Sequence, residues 1–238
     1  MKKVLPLLVV FLFAHFYSFA DGYWLEVEGS AQVKDTVYVK IRYGGVEDGY
    51  KRYIKKGALL DKMSTYQLEV VTPSGKAEAV SLKQLKDCFM GYFIPKTKGS
   101  YQIFAINDAL PVVERADTLN NIKPVQYLCA EYRVGSGAKA PLPTARLYMQ
   151  VDRLQDKALI RPFISGLPVK EGTSLRVFLP DNHDLQLKVD GEGMAYLPLK
   201  AKGTYLIRLD QQVSGAGEYK GKRYNSTRHR CDYTLAVN

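Results

Sequence analysis

Histidine and tryptophan are scarce in this chain. Its 238 residues include three His and one Trp. A His-rich metal cage or a His-based catalytic relay has little to draw on. The three cysteines, Cys88, Cys129 and Cys231, contain no Cys-x-x-Cys pair, which argues against a zinc site or a dithiol redox motif. A Gly-x-Ser-x-Gly nucleophile elbow is absent. After residue 20 no apolar run approaches the ~18 residues that cross a bilayer as a helix. No repeated strand–helix–strand pattern is visible, which argues against a doubly wound fold.

Tyrosine and positive charge are plentiful. There are 17 Tyr, and 34 Lys plus Arg face 24 Asp plus Glu, for a net charge of +10. With 46% hydrophobic and 24% charged residues the composition is that of a globular protein, neither disordered nor fibrous. Residues 1–20 read as a secretory signal peptide: Lys2 and Lys3, an apolar run from Val4 to Phe13, then Ser18-Phe19-Ala20 as a small-x-small cleavage site. Cleavage there predicts an exported protein, periplasmic, outer-membrane-associated or extracellular. It leaves 218 residues with a net charge of +8, and only His183 and His229 remain.

Most later segments alternate with period two: Val37, Val39 and Ile41; Leu147, Met149 and Val151; Leu175, Val177 and Leu179; Leu185, Leu187 and Val189; Tyr205, Ile207 and Leu209; Cys231, Tyr233, Leu235 and Val237. Short alternating strands separated by turn residues predict antiparallel sandwiches. A short helical turn is expected only at Ser81 to Asp87. The stretch from Gly135 to Pro143 is rich in small residues and proline and reads as a linker. An internal echo supports duplication: GYFIPKTKGSYQI at 91–103 and AYLPLKAKGTYLI at 195–207 are each expected to be a hairpin turning at Lys-x-Lys-Gly. The predicted fold is all-β, with two tandem immunoglobulin-like antiparallel β-sandwiches. The N-terminal one spans 21–136, the linker 137–144 and the C-terminal one 145–238.

The residues Asp21-Gly22-Tyr23-Trp24-Leu25-Glu26 resemble the His-x-Phe-Trp-Leu-Glu opening of exported bacterial proteins of domain-of-unknown-function family 4198. Asp190-Gly191-Glu192-Gly193-Met194-Ala195 and Lys202-Gly203-Thr204-Tyr205-Leu206-Ile207 are similar to turns and strands of that family's C-terminal half. This half is similar to transthyretin-like and carboxypeptidase-regulatory-like sandwiches. The resemblance implies a periplasmic accessory role in cobalt or nickel uptake, and hence a divalent transition metal. The sequence itself indicates no cofactor, and Asp21 stands where the family has a histidine.

Several constellations are candidate sites. Asp21, His183 and His229 are the candidate metal ligands; His229 and Cys231 share a strand face, flanked by arginines, and His183 lies in the turn Asp181-Asn182-His183-Asp184. Tyr23, Trp24, Lys51, Arg52, Tyr53, Lys55 and Lys56 interleave aromatics with cations and are the candidate ligand-binding residues. Trp24 with Tyr23 reads either as a sugar-stacking platform or as a core anchor. A second basic cluster runs from Tyr219 through Lys220, Lys222, Arg223 and Tyr224 to Arg228 and Arg230. In an exported protein the expected partners of such clusters are acidic glycans, envelope polyanions or an acidic protein surface, not nucleic acid. Cys88 and Cys129 are the candidate disulfide, with Cys231 a buried thiol. Glu26, Glu28, Asp108 and Glu114 are carboxylates that an enzyme would need to bring together. The expected function is a non-enzymatic envelope binding or accessory module. Its partner would be an envelope protein or small ligand, with membrane contact only through a partner. The alternatives are a carbohydrate-binding or adhesion module and a two-carboxylate glycan hydrolase.

Overall fold

The computed structural model describes residues 21–46, 52–116, 120–142 and 144–237, and the backbone alone of Asp21. The expected signal peptide and Lys51 lie outside the described residues. The strands are β1 (Asp21–Glu28), β2 (Val37–Gly45), β3 (Tyr53–Ile54), β4 (Gln67–Val71), β5 (Ala77–Val80), β6 (Lys83–Gln84), β7 (Phe89–Phe93), β8 (Gly99–Asn107), β9 (Ile122–Val134), β10 (Leu147–Arg153), β11 (Lys157–Ile164), β12 (Leu167–Pro168), β13 (Ser174–Phe178), β14 (Asp184–Lys188), β15 (Ala195–Pro198), β16 (Gly203–Tyr219) and β17 (Lys222–Val237). The protein is all-β, and its two halves are immunoglobulin-like antiparallel sandwiches.

Three sheets build them. Outer sheet A runs β1-β2-β7-β6, with β3 beside β2; outer sheet C holds β10, β11, β12 and β15. The central sheet B has eight strands in the order β14-β13-β16-β17-β9-β8-β4-β5. Its middle is the join between the halves, where β9 and β17 pair in parallel from Ile122↔Ser226 to Cys129↔Tyr233. Period-two alternation splits the core at this join. On β8 and β9, Ile103, Ala105, Leu128 and Ala130 pack against sheet A, while Phe104, Tyr127 and Cys129 join the core beneath sheet C. Sheets A and C therefore cover opposite faces of sheet B. The strand order reads alike outward from β9 and from β17, so the halves are related by an approximate twofold axis along the join.

The echoed segments occupy equivalent places, but as corners rather than the expected hairpins. β7 belongs to sheet A and β8 to sheet B, and likewise β15 belongs to sheet C and β16 to sheet B. The chain steps between layers at Gly99 and Gly203, with φ of 135° and 125°, which glycine alone adopts freely. The Tyr101 hydroxyl donates to Thr97 O at 2.8 Å and accepts from Thr97 N at 3.1 Å. Tyr205 repeats this with Ala201, at 2.9 and 3.0 Å. These are tyrosine corners, a hallmark of immunoglobulin-like sandwiches.

The expected helical turn at Ser81 to Asp87 is also corrected. Lys83 and Gln84 pair with Met90 and Phe89 as a short edge strand. The helical turn is a 3-10 helix at Gly57–Met63, which buries Leu60 and Met63. The linker is laid against β8: Ser100 N donates to Ala138 O, and Ala140 N donates to Ser100 O.

Candidate functional site

The sequence-derived ligand cluster is divided by the pleat of β1. Trp24 points away from Tyr23 and is 2% exposed, packed with Val46, Phe178 and Leu206. Arg52 lies over its ring at 5.8 Å and donates to Asn182 Oδ1, Thr204 O and Leu179 O. Both residues thus fasten sheet A to the C-terminal half, and Trp24 is a core anchor rather than a platform. Tyr23 stacks on Tyr43 at 4.9 Å and meets the edge of Tyr66 at 5.7 Å. The ammonium groups of Lys55 and Lys62 cap the Tyr43 ring. The Tyr66 hydroxyl is buried here without a partner, and burial pushes its pKa well up. Tyr53 and Lys56 are exposed and stand apart from this stack.

Two of the candidate metal ligands, His183 and His229, are not brought together, and the Asp21 side chain lies outside the described residues. His183 lies in the β13–β14 turn, beyond the level where Phe178 pairs with Leu206. His229 faces Gln211, five residues further along β16, or roughly 16 Å at the strand rise of ~3.3 Å. His183 Nδ1 is 3.1 Å from Asp181 Oδ2, and His229 Nδ1 shares a 2.9 Å hydrogen bond with the Tyr127 hydroxyl. Burial, with Arg146 nearby, lowers the His229 pKa to about 4. Among the described residues no group of three or more His, Cys, Asp or Glu side chains is placed to hold a metal ion.

The cysteine pairing is corrected as well. Cys129 Sγ lies 3.5 Å from Cys231 Sγ, on adjacent parallel strands. Cys88 precedes β7 on sheet A, and all three thiols are free and buried. The carboxylates Glu26, Glu28 and Glu114 are each engaged by a separate cation, Arg42, Lys40 and Lys222.

A groove of about 1120 Å³, larger than the other concavities described here, lies between the β10 side of sheet C and the joined strands β9 and β17. Lys139 from the linker, Asp152 and Arg153 from β10, Arg161 from β11, and Glu131 and Arg133 from β9 line it. Arg161 Nη1 holds Asp152 Oδ2 at 2.6 Å, and Lys139 binds the other Asp152 oxygen. Burial raises the Asp152 pKa, but hydrogen bonds from Lys139 and Arg161 outweigh it and hold the carboxyl below its usual range. Arg133 pairs with Glu131 at 2.8 Å. Behind it, Gln102 donates to Glu131 at 3.0 Å and accepts from the buried Tyr148 hydroxyl at 2.9 Å. Four cations thus face two carboxylates. None of these residues stood out in the sequence: Asp152 and Arg161 alternate with the buried Val151 and Ile160, and the others are single charges at strand ends or in the linker.

No known protein-family model matches the chain, and no curated protein matches it. Among solved structures, it is similar to the chicken interferon gamma receptor alpha chain. The identity is 12% and the TM-score 0.24, over 92% of this chain and 99% of that one. It is also similar to dimeric latent PorU from Porphyromonas gingivalis, at 12% identity and TM-score 0.22, over 92% of this chain and 20% of that one. Likeness at this level carries no functional argument.

Proposed function

We propose that the protein is an exported, non-enzymatic binding or accessory module of the bacterial envelope, and that its groove holds an extended acidic ligand such as an acidic glycan. The observation that carries this reading is the net positive lining of a groove of about 1120 Å³, too large and polar for a small apolar ligand. The cations retain partial exposure, so an incoming carboxylate meets charge-assisted donors without deep desolvation. A glycosidase acid needs a raised pKa, whereas Asp152 is held low by Lys139 and Arg161, which favours binding over hydrolysis.

The test is calorimetric titration of the full chain with polygalacturonate and with neutral dextran. Binding to polygalacturonate that weakens with salt, and falls about tenfold or more in Arg153→Glu, is expected. Equal affinity for dextran, or no effect of Arg153→Glu, would overturn the reading. A nickel titration examines the uptake role that the family resemblance implies, and a tight site would favour that role instead.

One observation favours the carbohydrate-binding alternative. Tyr38 and Tyr92 are directly opposed on β2 and β7 and are 42% and 61% exposed on the outer face of sheet A. Such a pair offers a flat aromatic surface for the apolar face of a sugar. Dextran binding that is lost in Tyr92→Ala would place the ligand there.

A further inference from the structure

The basic cluster near the chain end resolves into a long hairpin, and its arginines do not share one fate. On β17, Ser226, Arg228, Arg230, Asp232 and Thr234 alternate onto one face. Thr234 accepts the backbone N–H of Leu25, so β1 of sheet A meets this face at Thr234. Next along, Asp232 pairs with Arg208 at 2.7 Å. Arg230 then pairs with Asp210 through two contacts of 2.7 and 3.1 Å. Arg228 comes next, makes no ion pair among the described residues, and has a buried Nε with no acceptor. Such a donor costs free energy unless something accepts from it.

The surroundings of Arg228 add to its charge. Burial lowers its pKa first, and the guanidiniums of Arg230, Arg208 and Arg115 push the same way against Asp210 alone. Asp210 is already held by Arg230. Arg115 is exposed and makes no ion pair among the described residues.

A concavity of about 510 Å³ lies beside this cluster; Arg115, Asn120, Gln212, Ser214, Asn225 and Ser226 line it, and Arg228 adjoins it through Gln212 and Ser226 without lining it. Two of these flank Arg228 directly: Gln212 is its cross-strand partner and Ser226 its neighbour on the same face. Gln212 Nε2 donates to Ser226 Oγ at 2.9 Å, so the Ser226 hydroxyl keeps its own proton to donate. Arg115 is tethered through its backbone by buried Asn121. That side chain accepts from Arg115 N at 2.9 Å and donates to Arg223 O at 3.0 Å. A register shift between Ser214 and Gly217 marks a bulge at the pocket's end.

We propose that a small oxyanion group, phosphate, sulfate or carboxylate, binds between Arg228 and Arg115, with Ser226 donating a further hydrogen bond. It supplies the negative charge that the arginine cluster lacks. A planar guanidinium suits it, because two parallel N–H groups match two oxyanion oxygens. This pocket is separate from the groove between β10 and the joined strands, so either site can fail alone.

Thermal unfolding and calorimetry on the full chain test the proposal, with inorganic phosphate, sulfate and glucose 6-phosphate as probes and chloride at matched ionic strength as the control. Phosphate and sulfate stabilise the parent chain beyond chloride. Arg228→Met and Arg115→Gln each weaken phosphate binding about tenfold or more. Without anion, Arg228→Met is at least as stable as the parent, because it removes a buried uncompensated charge, and phosphate reverses that order. Tighter binding of glucose 6-phosphate than of phosphate would mean that the anion is the head of a larger ligand; equal binding would mean a free oxyanion. An equal response to chloride, or full phosphate binding by Arg115→Gln, an exposed substitution that leaves the core untouched, would overturn the proposal.

Discussion

The two halves share one plan and differ in what protrudes from it. Both place an outer strand, a tyrosine corner and a central strand in the same order, and both hold the corner glycine at positive φ. Yet β8 has 9 residues where its counterpart β16 has 17, and the surplus of β16 and β17 extends as a hairpin carrying Arg228 and its neighbours. The groove, for its part, is made by neither half alone: it takes Glu131 and Arg133 from one and Asp152 and Arg161 from the other. The duplicated part is scaffold. The two proposed sites lie where the duplication ends or where its copies meet, as expected when sites are grafted onto a common framework.

The join between the halves offers the largest test of that division. Arg208 and Asp232 are 3% and 1% exposed, and Gln126 from β9 donates to Asp232 at 2.8 Å. This one network therefore spans β16, β17 and β9. Asp232→Asn leaves Arg208 buried without its counter-charge and is expected to cost about 3–5 kcal/mol in urea unfolding. If the halves are one cooperative unit, a single transition moves. A variant in which only one of two transitions shifts would show that the halves unfold separately.

The tyrosine corners test the equivalence of the halves at a smaller scale. Tyr101→Phe and Tyr205→Phe each remove a hydroxyl that both donates and accepts within one turn. Each is expected to cost about 1–2 kcal/mol, and nearly the same amount. Unequal losses, measured by chemical denaturation, would mean that the echo in sequence is not an echo in energetics.

How much of this was legible in the sequence depends on the range of the contacts. Val37, Val39 and Ile41, and Leu147, Met149 and Val151, are buried as their alternation implies, because period two is a local property. The Lys-x-Lys-Gly segments were expected to be hairpins, since hairpins and corners both need glycine at positive φ. The discriminating signal was the tyrosine two residues later, whose hydroxyl reaches back to the turn. The pairing of β9 with β17 leaves no local trace, so Cys129 was assigned a partner from its own half instead of Cys231. The cations at Arg228 and Arg230 were visible as a run, but burial of one and neutralisation of the other were not. Lys139, Asp152 and Arg161 are indistinguishable in sequence from solvated strand faces.

The smallest expected effect concerns pH, and it again separates the hairpin from the duplicated scaffold. His229 lies on β17 where Tyr127 from β9 meets it, ring to ring at 6.0 Å. Its folded pKa of about 4 lies below the ordinary histidine value of 6.5, through burial and the adjacent Arg146. The unfolded chain therefore binds a proton first as pH falls, so this residue costs no stability above pH ~6.5 and destabilises progressively down to pH ~4. Allowing for its partial exposure, the loss is about 1 kcal/mol. His229→Gln is expected to flatten the stability profile over that window and to leave it unchanged at pH 8. A profile as steep in the variant as in the parent would shift the effect to carboxylates, and would mean that the join does not sense protons through His229.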